Sequence, residues 1–422
     1  MGSQTDQYRP ALIEDNTNIK PDGRHLSEQI TDKAISYISK QKEAAPDKPF
    51  FLYYAPGAVH APHQVATEWS DKYKGKFDDG WDVFRERVFA SQKKLGVIPA
   101  YATLPDRNPN VKAWASLTAD EKKVYARFME VYAGYLEYTD YQVSRVIKKL
   151  KELNQLDNTV IFLMIGDNGA SKEGKDGGTI QSDKLEATFL KEDVANLLKH
   201  YDEIGTPKSS PNYPLGWAQA TNTPFKFRKQ DANSEGGTHN PLIVFYPKGI
   251  KEKGGIRNQY GYITDIFPTT LELTGIKQPE YIRGIKQDSL HGNSLAFAFN
   301  DAKAPSRHTQ QYYYIFGARA IYKDGWKAGT QHANNAFGSS NVPDLNHVPD
   351  PKRFDNDVWQ LYNLNTDFNE INDLSAKYPE KLKELKALFD AEATKNNLYP
   401  LIDWEDVLGS FIKNAAKSKV IH

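Results

Sequence analysis

The sequence predicts an α/β fold: a mainly parallel central sheet flanked by helices, with a smaller C-terminal α+β region built on an antiparallel sheet. Two helix-periodic stretches each lead into an apolar run without alternation, residues 27–45 into Phe50-Phe-Leu-Tyr-Tyr-Ala55 and residues 118–153 into Val160-Ile-Phe-Leu-Met-Ile165. Unalternating runs fit strands covered on both faces, and helix–strand succession fits a parallel sheet. Loops rich in Gly, Pro and chemistry-bearing side chains follow both runs, where open α/β sheets bind ligands. From about residue 310 the texture changes to short aromatic runs around an Asp-Gly turn, the mark of hairpins.

Each element has its own justification. Ile30, Ala34, Ile35 and Ile38 recur at helical spacing. Asp47-Lys-Pro turns the chain into the first strand, and Pro56-Gly57 stops it. A long helix starts at Thr118, with Glu121 completing a capping box. Val124, Phe128, Val131, Tyr135, Val143, Val146, Ile147 and Leu150 keep its period. Residues 170–222 are polar, with one helix-like insert near 182–201, and so long a connection is more often functional than not. Leu242-Ile-Val-Phe-Tyr246 is a further buried strand, and residues 264–274 form a helix starting near Pro268. Residues 312–316, 319–327 and 359–364 read as antiparallel strands, with the turn at Asp324-Gly325, and a helix at 378–395 follows. The expected domains are 1–305, α/β and N-terminally incomplete, and 306–422, the antiparallel sheet plus helix.

Composition narrows the function. Lys+Arg and Asp+Glu both number 54 and no basic block stands out, which speaks against nucleic acid as a partner. The absence of Cys removes disulfides, thiolate metal sites and a cysteine nucleophile. No apolar run approaches the roughly 18 residues of a membrane span. The start, Met1-Gly-Ser-Gln-Thr-Asp, has no signal-peptide core, and the natural chain is expected to begin further upstream.

Three loops carry candidate chemistry. The second strand ends in Gly166-Asp-Asn-Gly169. Asp167 and Asn168 supply two hard oxygen donors of the kind calcium or magnesium prefers, and the glycines let a ligand approach closely. By itself the stretch reads at least as readily as a turn. The first strand ends in Ala58-Val-His60-Ala-Pro-His63, whose imidazoles can serve as acid or base. Before the strand at 242 come Lys226, Arg228 and Lys229, then Glu235-Gly-Gly-Thr-His239. Three cations beside a Gly-Gly turn suit an oxyanion, although such a cluster is more often a solvated face.

Together with "DKPFFLYYAPGAVHAPHQV", "DNTVIFLMIGDNGASKEG", "NTPFKFRKQDANSEGGTHNPLIVFYPKGI", "YITDIFPTTLELTGI" and "LYNLNTDFNEINDL", these loops give a chain that resembles the formylglycine-dependent sulfatases of the alkaline-phosphatase superfamily, in particular bacterial arylsulfatases. The resemblance implies a divalent-metal-dependent hydrolase of sulfate esters, acting on a small molecule or a glycan, and a periplasmic or secreted location. It makes Asp167 and Asn168 calcium ligands and His60 and Lys229 catalytic residues. Lys226, Arg228 and His239 become substrate-binding candidates, with Lys226 and Arg228 alternatives for the lysine.

The same resemblance shows what to look for and not find. The family's nucleophile is a formylglycine made within Cys/Ser-x-Pro-x-Arg. With no Cys, and with Lys303-Ala-Pro-Ser-Arg307 only imitating the motif, formylglycine is not expected here. The Asp pair that ends the family's first strand is also absent, so calcium binding is expected to be weak or lacking. The chain therefore reads as a sulfatase without its first segment, inactive alone, with a complementing N-terminal segment as candidate partner. Two alternatives stay open: a phosphodiester or phosphonate monoester hydrolase of the same superfamily, and a non-catalytic anion- or partner-binding remnant or half of a split enzyme.

Overall fold

The structure is a computed structural model and describes residues 6–183, 192–332, 351–403 and 405–407. A hairpin of β1 (Leu12–Glu14) and β2 (Thr17–Ile19) precedes helix α1 (Leu26–Ala44). A short α2 (Thr67–Ser70) and α3 (Gly80–Leu95) lead to α4 (Ala119–Glu152), the spine of the fold. Its start is the predicted capping box: the Glu121 amide donates to Thr118 Oγ1 at 3.1 Å and the Thr118 amide to Glu121 Oε2 at 2.8 Å. Val124, Phe128, Val131 and Tyr135 of α4 are buried with Trp81, Trp114, Tyr213 and Trp217 in the largest core. Farther along α4, Val146 and Leu150 pack on Ala34 and Ile38 of α1.

Strand β3 (Ile161–Met164) emerges from this layer. Helices α5 (Val194–Lys199), α6 (Leu215–Thr221) and α7 (Glu235–Thr238) then lead to β4 (Leu242–Phe245) and α8 (Ile266–Thr274). Part of the helix predicted near 182–201 lies outside the described residues; the described part contains α5. β4 pairs with β3 antiparallel, Ile161 opposite Phe245 and Met164 opposite Leu242. Every strand ladder among the described residues is antiparallel, where the sequence predicts mainly parallel neighbours. The reason lies in the connection. A parallel neighbour needs a crossover that returns to the opposite end of the sheet. Here the segment between residues 165 and 241 leaves and re-enters at one end, and the Ile165 amide meets the Pro241 carbonyl at 3.2 Å.

The predicted strand at 50–55 joins no ladder among the described residues. Phe50, Leu52 and Tyr54 pack on the α1–α4 core, whereas Phe51 and Tyr53 are 83% and 82% exposed. One face of this run is covered and the other is bare.

A small hairpin, β5 (Tyr281–Ile282) and β6 (Ile285–Lys286), precedes the C-terminal sheet. That sheet is a meander of β7 (Gln310–Ile315), β8 (Ala318–Lys323), β9 (Trp326–Thr330) and β10 (Gln360–Asn363), ordered β10-β9-β8-β7. Asp324 (φ +48°) and Gly325 (φ +85°) make the β8–β9 turn. Two positive φ angles match the right-handed strand twist, which is why Asp-Gly signals a hairpin. Helix α9 (Pro379–Lys395) covers the sheet and buries Leu385, Phe389 and Ala393 against Ile321, Ala328 and Leu361.

Candidate active site at the strand ends

The antiparallel return brings two loops to one rim. The Asp-Asn-Gly loop leaves β3, and the segment from Thr223 to Asn240 enters β4. Gly169, at φ +84°, is pressed so closely that a Cβ there would lie 2.2 Å from the Gly236 carbonyl oxygen and 2.9 Å from the Lys229 amide nitrogen. No other residue fits. The Lys229 amide donates to the Ala170 carbonyl at 3.1 Å, and the Gly169 amide to Asn240 Oδ1 at 3.2 Å. Asn222 ties the rim together. Its Oδ1 accepts from the Ala170 amide at 2.9 Å, and its Nδ2 donates to the carbonyls of Phe227 and Gly236 at 2.7 and 2.8 Å. Nothing in the sequence singled out Asn222, because its role exists only once three distant loops meet.

Lys229 reaches across this rim to the loop after residues 50–55, and its Nζ lies 2.8 Å from His60 Nε2. An ammonium can only donate, so Nε2 accepts and the ring proton resides on Nδ1, 2.8 Å from the Ala61 carbonyl. That assigns a neutral imidazole with its lone pair toward Lys229. The ammonium is also 3.2 Å from Glu173 Oε1. Gln230 Nε2 donates to the same oxygen at 3.2 Å, and Ser171 Oγ to Oε2 at 3.3 Å. Glu173 was not a sequence candidate; only its position within "DNGASKEG", a few residues past the metal-type pair, could have drawn notice.

Asp167 and Asn168 are exposed on the loop beside Lys229. Among the described residues no three His, Asp or Glu side chains are grouped so as to hold a metal ion. Two oxygens fall short of the six to eight that calcium takes. The described residues therefore do not fit a calcium ion by themselves.

The other three basic candidates point elsewhere. Lys226 Nζ donates to Tyr362 Oη at 3.2 Å and lies 4.8 Å from that ring's centre; burial holds its pKa below the usual lysine value. Arg228 is buried, with Nε and Nη1 unpartnered among the described residues, and burial lowers its pKa too. His239 Nδ1 is 2.8 Å from Glu235 Oε2, and its ring is 5.4 Å from both Phe225 and Phe368. The run of cations is thus a cluster in sequence only. Successive side chains leave the backbone in different directions, and of the three cations of 226–229 only Lys229 meets His60.

A buried network supports the rim from behind. Lys327 of β9, fully buried, pairs with Glu235 at 2.7 Å and Glu370 at 3.4 Å. Glu370 Oε2 accepts from the Ser234 hydroxyl and from the Glu235 amide. Burial alone would lower the Lys327 pKa and raise that of Glu235; their mutual attraction reverses both, leaving Lys327 raised and Glu235 lowered, the latter aided by His239.

With this geometry established, comparison with known proteins is direct. The chain is 31% identical over 364 residues to an uncharacterized sulfatase of Schizosaccharomyces pombe, covering 86% of this chain and 60% of that protein. It is 29% identical over 293 residues to the arylsulfatase of Klebsiella aerogenes, covering 69% of this chain and 59% of the relative. The chain thus spans about six-tenths of the length of these curated relatives. The fold matches the solved structure of BT4656 in complex with its substrate D-glucosamine-2-N,6-O-disulfate at TM-score 0.55 and 17% identity, over 94% of this chain and 75% of the other. It matches that of Ps i-CgsB at 0.54 and 19%, over 95% and 62%. These neighbours place the chain in the sulfatase-type α/β fold. The Sulfatase family model matches residues 1–276, and the chain belongs to the sulfatase family.

Proposed function

We propose that this chain contributes the anion-binding rim of a sulfuric-ester hydrolase, in which Lys229 and His60 engage the ester. The contact that carries the reading is the 2.8 Å approach of Lys229 Nζ to His60 Nε2, at the rim where the Asp-Asn-Gly loop meets the Gly-Gly turn. Lys229, half-buried, offers charge-assisted hydrogen bonds to sulfate oxygens, and these strengthen as charge builds in the transition state. When the S–O bond breaks, its electron pair stays on the alcohol oxygen, which needs a proton. In this proposal Lys229 Nζ gives that proton to the alcohol oxygen and, left neutral, is reprotonated from solvent by way of the exposed His60 Nε2 beside it.

The attacking oxygen has to come from elsewhere. The chain has no Cys from which to make a formylglycine, and Asp167 with Asn168 gives only two of the ligands a hard cation takes. In this reading a complementing segment supplies the nucleophile and the remaining metal ligands, and the isolated chain binds sulfate esters while turning them over little or not at all. An aryl sulfate or a sulfated sugar is the substrate class proposed, and a periplasmic or secreted location goes with it.

The test is direct. Titration with phenyl sulfate is expected to give saturable binding, weakened about tenfold or more in Lys229→Ala through loss of a charge-assisted bond. Binding that is indifferent to Lys229 would remove the rim from the proposal. Turnover of 4-nitrophenyl sulfate by the isolated chain, lost in His60→Ala, would show that no complementing segment is needed.

A further inference from the structure

We infer that Glu173 sets the charge preference of this rim, favouring monoanionic tetrahedral esters such as sulfate monoesters over dianionic phosphate monoesters. The inference rests on Lys229 being the anion-binding cation, and goes beyond it by naming the group that rejects the wrong anion.

Glu173 Oε1 is 3.2 Å from Lys229 Nζ. Both carboxylate oxygens are held, one by Gln230 Nε2 and the other by Ser171 Oγ, so the group cannot easily swing aside when an anion arrives. Glu173 and Lys229 side chains are 17% and 12% exposed, a setting in which water screens a contact pair only in part. Among the described residues, the basic side chains next to Lys229 in sequence and at the start of the adjoining loop are engaged elsewhere. Lys172 is buried and spent on Asp231 at 2.9 Å. Arg228 lies in the interior, and Lys226 is turned to Tyr362. His60 accepts from Lys229 and so is neutral in this arrangement.

One ammonium with a fixed carboxylate held against it makes a poor field for a double negative charge. A sulfate monoester carries one negative charge and can use the Lys229 donors at small cost. A phosphate monoester above its second ionisation, near pH 6, brings an extra charge into repulsion with Glu173. The two esters share tetrahedral shape, so charge is the property on which such a site can discriminate.

The experiment compares phenyl sulfate with phenyl phosphate, by calorimetric titration of the full chain at pH 8 with EDTA present, so that only side-chain charge is read. The wild type is expected to prefer phenyl sulfate. Glu173→Gln keeps the size and hydrogen-bonding reach of the group but removes its charge. It should tighten phenyl phosphate by about fivefold to tenfold and phenyl sulfate by only about twofold to threefold, because the repulsion removed scales with the charge of the ester. Glu173→Asp, which keeps the charge, should retain most of the preference, a rescue that a purely structural role for the side chain would not produce. Equal shifts for the two esters in Glu173→Gln, or loss of the preference in Glu173→Asp with an unchanged unfolding midpoint, would overturn the inference. A wild type that binds neither ester would overturn it as well, by removing the anion site itself, and that result is distinct from binding without discrimination.

Discussion

The C-terminal meander and the β3–β4 pair are built from similar residues yet differ in what covers them. In the meander, Ile321, Ala328 and Leu361 are fully buried beneath α9, and Ala318 and Ala320, on the other face of β8, are fully buried too. In the β3–β4 pair and its flank, Met164, Ile165, Ile243 and Phe245 are 41–49% exposed, and Phe51 and Tyr53 exceed 80%. An apolar strand is stabilised by the layer laid against it, not by its composition. The candidate rim stands on the less covered of the two regions, and Lys327 fastens it to the better covered one through Glu235.

That fastening is where the comparison can be broken most strongly. Lys327→Met leaves Glu235 and Glu370 facing each other without a cation, and removing one member of a buried charge cluster costs about 3–5 kcal/mol. Denaturant unfolding measures the loss. If the rim depends on the C-terminal sheet, phenyl sulfate binding falls with it, and hydrogen exchange speeds up at the amides of residues 234–239 before the amides of α9 respond. A loss confined to the meander would show the two regions to be independent. Phe389→Ala, which empties a fully buried site under the meander, is expected to cost about 3–5 kcal/mol, again read by denaturant.

Protonation offers a subtler contrast, because two buried histidines respond to pH with opposite sign. His63, beside the α4 core, has its pKa pushed down to about 3 by burial, with His60 contributing. The unfolded chain, titrating near 6.5, binds a proton that the folded one excludes. Stability from this residue is therefore complete above about pH 6.5 and falls by up to about 1.4 kcal/mol per pH unit as pH drops toward 3. His308 is raised by its hydrogen bond to Asp265, which outweighs partial burial. Its contribution is complete below about pH 6.5 and disappears as pH rises through the folded value. Scans of the unfolding midpoint against pH should show His63→Gln flattening the acid limb and His308→Gln flattening the neutral one.

How much of this was legible in the sequence follows the range of the interactions. The α4 capping box and the Asp324-Gly325 turn were readable because they are made within a few residues of backbone. The direction of β4 was not, since it depends on where a long polar connection returns. Lys229 and His60 were picked out by resemblance to a family, and the structure brings them together. Composition alone could not have separated Lys229 from Lys226 and Arg228. Their different fates depend on Tyr362, on the interior around Asp231, and on His60, each contributed from elsewhere in the chain. Glu173 and Asn222 stayed hidden for the same reason.

The smallest expected effect on stability bears most on the comparison itself. Phe51→Ser and Tyr53→Ser remove large apolar side chains from a strand-like run, which in the meander would be ruinous. Here both rings already face solvent, so little apolar area is returned to water on unfolding and the change should stay within about 0.5 kcal/mol. What should change is association. Neighbouring exposed apolar side chains on an extended segment with no strand partner among the described residues form a sticky edge, and a polar residue is a natural block to it. Light scattering is expected to show less self-association in the double variant at unchanged unfolding midpoint. A loss of several kcal/mol would mean that the outer face of residues 50–55 is covered in solution, and that the two regions differ less than their exposure indicates.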